Sequence, residues 1–316
     1  MKKLYDYTEE MLRYKESLGY ARHTYEGFLN DFARFVKRNY PEAEFLTENI
    51  ALEWCQQRES EKISGYHRRA AAFREFTKYL YAVGSGGYIL PADYTARPER
   101  YIPYIFTDQE LVDFFNASDQ VTPYKSSPSR SFIIPVIYRL IYFCGLRPNE
   151  GRELQKQDVN LKDGILFIRK NKSHRERMIP MAHDVTEMCR EYNEKASWLY
   201  PESPYFFPSA TGNVYSAKWL TQNFRKIWGA IKSDKNTCSV RVYDFRHRYA
   251  TTIMMKWVNE GVDLYKMIPY LSTYMGHANF SDTAYYIHLL PDNLVQSTAI
   301  DWQRFKDLVP KVDYDI

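Results

Sequence analysis

Residues 131–150 have the sequence SFIIPVIYRLIYFCGLRPNE, in which a largely apolar run is followed by a short polar motif. The run predicts a buried helix over about Ser131–Cys144. Gly145 has the place of a cap residue, because glycine adopts the left-handed backbone at little cost. The run contains an arginine and is too short to cross a bilayer. The segment therefore predicts a core helix of a globular domain. Arg147, taken alone, would most often be a surface residue or an ion-pair partner.

The chain on the N-terminal side of this helix predicts a separate helical bundle. Three prolines within residues 91–104 resist regular structure and indicate an extended linker. Thr107 and Glu110 then have the spacing of a capping box, which marks the start of a further helix. We therefore predict an N-terminal domain over residues 1–90 and a second domain over residues 105–316. Helical spacing of apolar residues in the bundle occurs at Thr24–Val36, Ile50–Cys55 and Tyr66–Val83.

On the C-terminal side, a short β element interrupts otherwise helical patterns. Residues 164–181 predict two strands around a polar turn at Asn171–His174. The tail, residues 292–316, has the spacing of an amphipathic helix. The predicted fold class is mainly α with a small β-sheet or hairpin, as a helical bundle followed by a mixed α+β domain. Helical patterns resume at Asp184–Lys195, Ala217–Ile231, Phe245–Glu260 and Leu264–Leu271.

The composition is that of a globular protein and constrains function only weakly. The 316 residues carry a formal net charge of +4 and a pI of about 8.6. This falls short of the basicity that indicates nucleic-acid binding by itself. The four cysteines form no CxxC pair, so neither a disulfide framework nor a zinc site is expected. The first residues lack the apolar segment of a secretion signal, and we expect a cytoplasmic protein.

Four further motifs follow GLRPNE in order along the second domain. They are NKSHRER at residues 171–177 with Ile179-Pro180 after it, DFRH at 244–247 with Ala250-Thr251, MGH at 275–277, and Tyr286-Ile287-His288. Tyr286 follows His277 by nine residues. In this order the motifs resemble the boxes of the tyrosine recombinase (phage integrase) family over roughly residues 105–290. The N-terminal bundle resembles the core-binding domain of that family more weakly.

The resemblance implies strand transfer at a DNA phosphodiester, with Tyr286 as the nucleophile. Negative charge builds on the non-bridging oxygens during attack, and the planar forks of Arg147 and Arg246 are suited to stabilise it. The resemblance implies Lys172 as the general acid for the departing 5′ oxygen and His277 as a donor to a phosphate oxygen. Because a 3′-phosphotyrosine retains the bond energy for rejoining, no metal, nucleotide or other cofactor is expected.

The neighbours of these residues have further implied roles. Glu150 is implied to orient Arg147 or another catalytic side chain. Tyr243 stands three residues before Arg246, where the family usually has His or Lys. We include Tyr243 among the catalytic candidates, since it can donate a hydrogen bond to phosphate, although it cannot act as a base near neutral pH. His247 is an alternative base, but its place in the box predicts a structural role. Tyr285 follows His277 by eight residues rather than nine, and we expect it to pack in the core.

Basic residues outside the motifs are candidates for DNA contacts. They lie near the predicted starts of helices or in the basic hairpin, where phosphates could be reached. An exposed charged helix face explains several of them equally well. The candidates are Arg22, His23, Arg68, Arg69, Arg175 and Lys218.

The resemblance implies a site-specific recombinase or integrase that acts on double-stranded DNA as a homotetramer on paired sites, through a Holliday junction. The departures at Tyr243 and at residues 271–277 favour an integrase or transposase of a mobile element over a chromosome-dimer resolvase. Accessory DNA-bending or directionality proteins are possible partners for such an enzyme, and the tail beyond Asp292 is implied to dock on a neighbouring subunit. Two alternatives stay open: a monomeric enzyme similar to type IB topoisomerases, and a DNA-binding accessory protein with an impaired site.

Overall fold

The computed structural model describes residues 2–95, 101–169, 176–232 and 240–289 of the chain. It divides into two compact units, residues 1–101 and 102–316. The predicted linker, residues 91–104, is described only in part, and the predicted tail, residues 292–316, lies outside the described residues. In the part of the chain that the structure describes, no helix is long and apolar enough to cross a membrane.

The first unit is a bundle of helices around an aromatic centre. The ring of Phe32 lies with its centroid 4.8 Å from that of Phe73 and 5.4 Å from that of Trp54. These three rings come from three different helices, so their burial holds the bundle together. The helices are α1 (Asp6–Ser17), α2 (His23–Asn39), α3 (Glu48–Cys55) and α4 (Ile63–Ala82). The last three overlap the helical patterns predicted from the sequence.

The second unit combines helices with a small antiparallel sheet. Its helices are α5 (Asp108–Asp119), α6 (Arg130–Phe143), α7 (Pro148–Arg152), α8 (His183–Leu199), α9 (Ala217–Ile231), α10 (Asp244–Asn259), α11 (Leu264–Met275) and α12 (Ser281–Ala284), with 3₁₀ turns at Lys156–Asp158 and Tyr285–Leu289. The strands are β1 (Val159–Asn160), β2 (Ile165–Ile168) and β3 (Arg177–Pro180).

The sheet has the order β1-β2-β3, with antiparallel pairing throughout. Ile165 pairs with Pro180 and Ile168 with Arg177, so β2 and β3 enclose the basic segment of residues 170–175. That segment lies outside the described residues. The predicted fold class is confirmed, and the third strand, β1, was not predicted. With two residues it is too short to show an alternating pattern.

An aromatic core places the first turn of α10. Phe245 is fully buried, and its ring lies with its centroid 5.0 Å from that of Phe106 and 5.1 Å from that of Phe114. Since α10 begins at Asp244, this packing fixes the start of the helix and leaves the next side chain, Arg246, on a different face. The core therefore sets the position of one of the residues that the motifs single out.

The C-terminal end of α6 has the cap that the sequence predicts. Gly145 follows the helix with a φ of +57°, and a Cβ atom there would lie 2.6 Å from the ring of Tyr249. Only glycine meets both requirements without strain. Pro148 starts α7 directly afterwards, where its missing amide hydrogen costs no helical bond. The GLRPNE motif is thus a tight connection between two helices.

Candidate active site

Arg246 lies at the first turn of α10 and is completely buried. Its Nη1 donates to the carbonyl oxygen of Gly145 over 2.6 Å, and its Nη2 donates to the carbonyl oxygen of Met275. The guanidinium therefore ties the loop after α6 to the end of α11. Its position depends on two connections that are 101 and 29 residues away along the chain.

Arg147 stands just before α7 and reaches the same loop. Its Nη2 donates to the carbonyl oxygen of Gly276 over 2.8 Å, and its Nη1 donates to Oε1 of Glu150 over 2.7 Å. Because Gly276 follows Met275 directly, the guanidinium groups of Arg147 and Arg246 are held at neighbouring carbonyls. The two arginines that the motifs single out therefore lie together.

Glu150 is the acidic partner at this site. Its Oε2 accepts from the backbone nitrogen of Arg147 over 2.9 Å, and its carboxylate also accepts both Nη groups of Arg177, over 3.0 and 2.7 Å. Burial opposes ionisation of Glu150, but the bonds from Arg177 and Arg147 outweigh it and hold the pKa below the usual value. Glu150 is thus a charged anchor for two arginines.

His277 bridges Arg246 and the segment that carries Tyr286. Its Nε2 lies 3.1 Å from Nη2 of Arg246, and its Nδ1 lies 2.7 Å from Oγ1 of Thr283. Because a guanidinium nitrogen can only donate, Nε2 accepts, and Nδ1–H must donate to Thr283. Burial, followed by the charge of Arg246, lowers the pKa of His277 to about 3. The imidazole is therefore neutral in this arrangement.

Tyr286 lies in the 3₁₀ turn after α12, with only 2% of its surface exposed. Its ring stacks on His277 with centroids 6.1 Å apart and lies 5.5 Å from the ring of His247. Burial raises the pKa of Tyr286, and the charges of Arg246 and Arg147 offset this only in part. The phenol is therefore protonated at neutral pH in this arrangement.

Two neighbouring tyrosines differ from Tyr286 in burial. Tyr285 is only half-buried, which corrects the expectation that it packs in the core, and Tyr286 is the deeper of the two. The reason is that Tyr286 lies in a cluster with residues of α10 and α11. Tyr243 is half-buried, with its ring 5.0 Å from that of His247. The rings of Tyr243, His247 and Tyr286 thus form a continuous row.

His247 is the polar member of this row. Burial, followed by the charges of Arg241 and Arg246, lowers its pKa to about 4. Its Nδ1 is buried and makes no hydrogen bond within the described part of the chain. The ring contacts the candidate nucleophile on one side and Tyr243 on the other.

The structure brings six of the predicted catalytic and supporting residues into one region. They are Arg147, Glu150, Tyr243, Arg246, His277 and Tyr286, joined by the hydrogen bonds and ring contacts above. Lys172 and Arg175 lie outside the described residues. The region lies within one unit of the chain and draws on four separated segments.

Sequence reasoning assigned no role to two side chains at this site. Arg177 was noted only as part of the basic hairpin, and Thr283 was not noted at all. Arg177 contacts Glu150, which is 27 residues away, and Thr283 contacts His277. Neither spacing matches a helix or strand period, so the sequence pattern does not predict these contacts. The one signal for Arg177 in the sequence is its place in the basic hairpin. A buried arginine needs an acidic partner, and Glu150 is an acidic residue of the neighbouring motif.

Residues 105–292 match the family described as the phage integrase family. The chain is also 31% identical over 282 residues to y4rE, a protein of Sinorhizobium fredii named as an integrase/recombinase, with 88% of this chain and 89% of the relative covered. The chain belongs to the phage integrase family. The family predicted from the motifs is confirmed, and with it the enzyme class, a DNA strand transferase of the tyrosine recombinase type.

Solved structures of recombinases share the fold of this phage integrase family member. XerH bound to its palindromic difH substrate in a post-cleavage complex aligns with a TM-score of 0.63, at 18% identity, over 89% of this chain and 80% of XerH. A lambda integrase tetramer bound to a Holliday junction aligns with a TM-score of 0.64, at 15% identity, over 90% of this chain and 77% of that chain. At this identity the likeness establishes the fold.

The candidate DNA contacts of this integrase family member differ in accessibility. Lys218 is exposed on the first turn of α9, and His23 and Arg68 are exposed and line one cavity of about 560 Å³ between α2 and α4. Arg22 is ion-paired with three glutamates, over 2.7, 3.1 and 2.9 Å. A phosphate must therefore compete with three carboxylates for Arg22.

Arg69 is the candidate that the structure does not support as a DNA contact. It is 2% exposed, and its guanidinium donates to both oxygens of Glu61 and to the carbonyl oxygens of Trp54 and Gln56. The helical spacing of α4 turns this side chain inward, where it satisfies the carbonyls at the end of α3. Its observed role is structural.

Proposed function

We propose that this chain is a site-specific DNA recombinase or integrase that cuts and rejoins DNA through a covalent 3′-phosphotyrosine at Tyr286. The observation that carries the proposal is the pairing of two guanidinium groups, the half-buried one of Arg147 and the fully buried one of Arg246, at neighbouring carbonyls beside His277 and the Tyr286 ring. Two fixed cations and one phenol are the groups that phosphoryl transfer to tyrosine requires.

Each arginine has a defined part in this proposal. Their forks donate to the non-bridging oxygens of the scissile phosphate, which gain charge as the phosphorus passes through its transition state. In the observed arrangement these donors are bonded to the carbonyl oxygens of Gly145, Met275 and Gly276. Binding of a phosphate therefore exchanges these carbonyl bonds for bonds to a charged oxygen, which are stronger.

The proton movements involve groups on both sides of the phosphate. The phenol of Tyr286 must lose its proton as the O–P bond forms, and the row of Tyr286, His247 and Tyr243 supplies the nearest neutral ring, His247. The departing 5′ oxygen must gain a proton, and Lys172 is the proposed donor. His277 carries its proton on Nδ1 in the observed arrangement, so donation from Nε2 to a phosphate oxygen requires that Nε2 leave Arg246 and gain a proton.

The proposed assembly is a homotetramer on two DNA sites that exchanges strands in pairs. The fold likeness to a lambda integrase tetramer bound to a Holliday junction supports this assembly. The mobile-element class, as integrase or transposase, is part of the same proposal, as are a cytoplasmic location and accessory DNA-bending or directionality proteins. The N-terminal unit, residues 1–101, is proposed to bind DNA as a core-binding domain.

The decisive experiment traps the covalent intermediate. A nicked duplex, selected from a random-sequence pool by its binding to the protein, lets the short fragment that carries the new 5′ hydroxyl diffuse away after cleavage, so the protein–DNA adduct accumulates. We expect an adduct with the wild-type protein and none with Tyr286→Phe. Tyr285→Phe is the matched control and should form adduct within about threefold of the wild-type rate. An adduct that survives Tyr286→Phe, or no adduct with wild type, overturns the proposal.

A second assay separates recombination from topoisomerase activity. A plasmid with two copies of the selected site should yield recombined products, whose formation requires both copies. Relaxation of a supercoiled plasmid that carries one copy, without any recombined product from two copies, would instead support the monomeric alternative.

A further inference from the structure

Arg177, at the start of β3, is buried among groups that belong to the candidate active site. Only 6% of its side chain is exposed. Its Nη1 and Nη2 donate to the two oxygens of Glu150 over 3.0 and 2.7 Å, and its Nε donates to the carbonyl oxygen of Tyr274 over 2.8 Å. Each of its three nitrogen groups thus has a partner, and the partners lie in two other segments.

The carboxylate of Glu150 is shared between Arg177 and Arg147. It is 3% exposed, and it receives the side chain and the backbone nitrogen of Arg147 as well as both Nη groups of Arg177. A carboxylate has about four acceptor positions, and these four bonds use them. The two arginines therefore set the orientation of the carboxylate together. Because Arg147 bonds to this carboxylate, the position of its guanidinium depends on Arg177.

Arg177 also shapes the loop that carries His277. Gly276 has a φ of +64°, and a Cβ atom there would lie 3.0 Å from Nη1 and 3.2 Å from Cδ of Arg177. The backbone of Gly276 therefore packs directly on the guanidinium. The carbonyl oxygen of this same residue accepts Nη2 of Arg147, and the next residue is His277.

We propose that Arg177 is a positioning residue for strand cleavage, which fixes the carboxylate of Glu150 and the backbone of Gly276 and thereby holds the Arg147 side chain and the His277 loop in register with the hairpin strand β3. The inference rests on the proposed function, since it concerns the same site.

The alternative is that Arg177 only stabilises the fold. A buried carboxylate that loses one of its cationic partners lowers stability in either case. A positioning role predicts in addition a defect in the chemical step that is separate from stability and from DNA affinity, because a displacement of a catalytic group by about 1 Å slows a reaction about 100-fold.

The experiment compares three single variants, and Glu150→Gln, alone and combined with Arg177→Met, completes the set. Arg177→Met removes all three donors at similar side-chain length. Arg177→Lys keeps the charge but cannot give two parallel bonds to Glu150 and a third to Tyr274. Arg139→Met is the control away from the site, since Arg139 also donates twice to a carboxylate, that of Asp119, and once to a backbone carbonyl oxygen, that of Pro135, in a more exposed pair.

The readouts are the single-turnover rate of adduct formation at saturating protein, the Kd for the same DNA and the midpoint of denaturation. We expect Arg177→Met to slow adduct formation about 10- to 100-fold while the Kd changes less than about threefold. We expect Arg177→Lys to recover part of the rate, and Arg139→Met to keep the wild-type rate. The Glu150→Gln/Arg177→Met double variant should be no slower than the slower single variant, because both act through one carboxylate.

A pH profile gives an independent readout. Arg147 and Arg177 bond to Glu150, and the charge of Arg246 also interacts with it. Arg177 is the largest of the influences that lower the pKa of Glu150, and burial opposes them. In Arg177→Met the pKa of Glu150 rises, so the ratio of variant to wild-type rate should fall as the pH falls. Arg139→Met should show a constant ratio.

Several outcomes overturn the inference. Arg177→Met with the wild-type rate does so, as does a rate loss that Arg139→Met reproduces or that a weaker Kd accounts for. If Arg177→Met does not fold, Arg177→Lys decides in the same way: a slower chemical step at unchanged Kd supports the inference, and the wild-type rate refutes it. In each case the Tyr286-dependent adduct of the wild-type protein tests the proposed function separately.

Discussion

Replacement of Thr283 by valine tests the hydrogen bond that orients His277. Thr283 is fully buried, and its Oγ1 accepts Nδ1–H of His277 over 2.7 Å. Valine has nearly the same shape but cannot accept. The Nδ1–H donor then loses its hydrogen bond to Thr283 in a buried position, which costs about 1–3 kcal/mol. The other tautomer does not relieve this, because its Nε2–H would face the donating Nη2 of Arg246.

Two measurements follow from this arrangement. Chemical denaturation of Thr283→Val should show a loss of about 1–3 kcal/mol in the free energy of unfolding. Single-turnover adduct formation should slow about tenfold or more, since the ring that faces both Arg246 and Tyr286 loses its anchor.

Thr251→Val is the matched control for this change. Thr251 is also buried, on α10, but its Oγ1 donates only to the carbonyl oxygens of His247 and Arg248 within the same helix. Its loss leaves no buried donor unpaired, and we expect less than about 1 kcal/mol of destabilisation. Equal stability and equal cleavage rates for Thr283→Val and Thr251→Val would refute the assignment of the hydrogen bond and of the His277 tautomer.

Three further predictions concern stability and DNA affinity. The pKa of His277 is about 3, below the usual 6.5, so the folded state binds fewer protons than the unfolded state. The contribution of His277 to the free energy of unfolding should therefore fall between pH 6.5 and 3, by up to about 1.4 kcal/mol per pH unit. His277→Asn should remove this contribution and reduce the slope in denaturation at several pH values. Arg69→Met should lower the free energy of unfolding by about 3–5 kcal/mol, because it leaves the partly buried carboxylate of Glu61 without its arginine partner. Arg68→Ala should instead weaken DNA binding in an anisotropy titration at nearly unchanged stability. The reverse pattern would contradict both assignments. Gly145→Ala should lower the free energy of unfolding by about 2–4 kcal/mol, since a positive φ is combined with a distance of 2.6 Å from the new Cβ to the Tyr249 ring. Gly212→Ala is the control, because Gly212 has a φ of +77° but no atom closer than 3.9 Å to the new Cβ. It should lower the free energy of unfolding by about 1–2 kcal/mol in the same denaturation assay.

The sequence predicted the elements that local patterns encode. The cap at Gly145, the capping box of Thr107 and Glu110, and the paired strands around the basic segment are all present. Each depends on residues at most a few positions apart, where steric and hydrogen-bonding preferences act within one turn. The order of the motifs identified the family for the same reason, since each motif is a short local string.

The burial of particular side chains was less predictable. Arg69 was a candidate for DNA contact and is buried in the core, and Tyr285, which was expected to pack in the core, is only half-buried. A basic or aromatic residue at a helix start has the same local pattern whether it faces solvent or a neighbouring helix. The partner that decides between the two, such as Glu61 for Arg69, comes from another element.

The sequence by itself determined the family, the fold class and which polar residues to examine, because these are written in short motifs and periodic apolar spacing. Only the tertiary structure decided which groups hold those residues in place: Glu150 between Arg147 and Arg177, Thr283 against His277, and the carbonyls of the loop after α11. The physical reason is that the pairs Arg147–Gly276 and Arg177–Glu150 are separated by 129 and 27 residues, and their contact depends on how whole helices and strands pack.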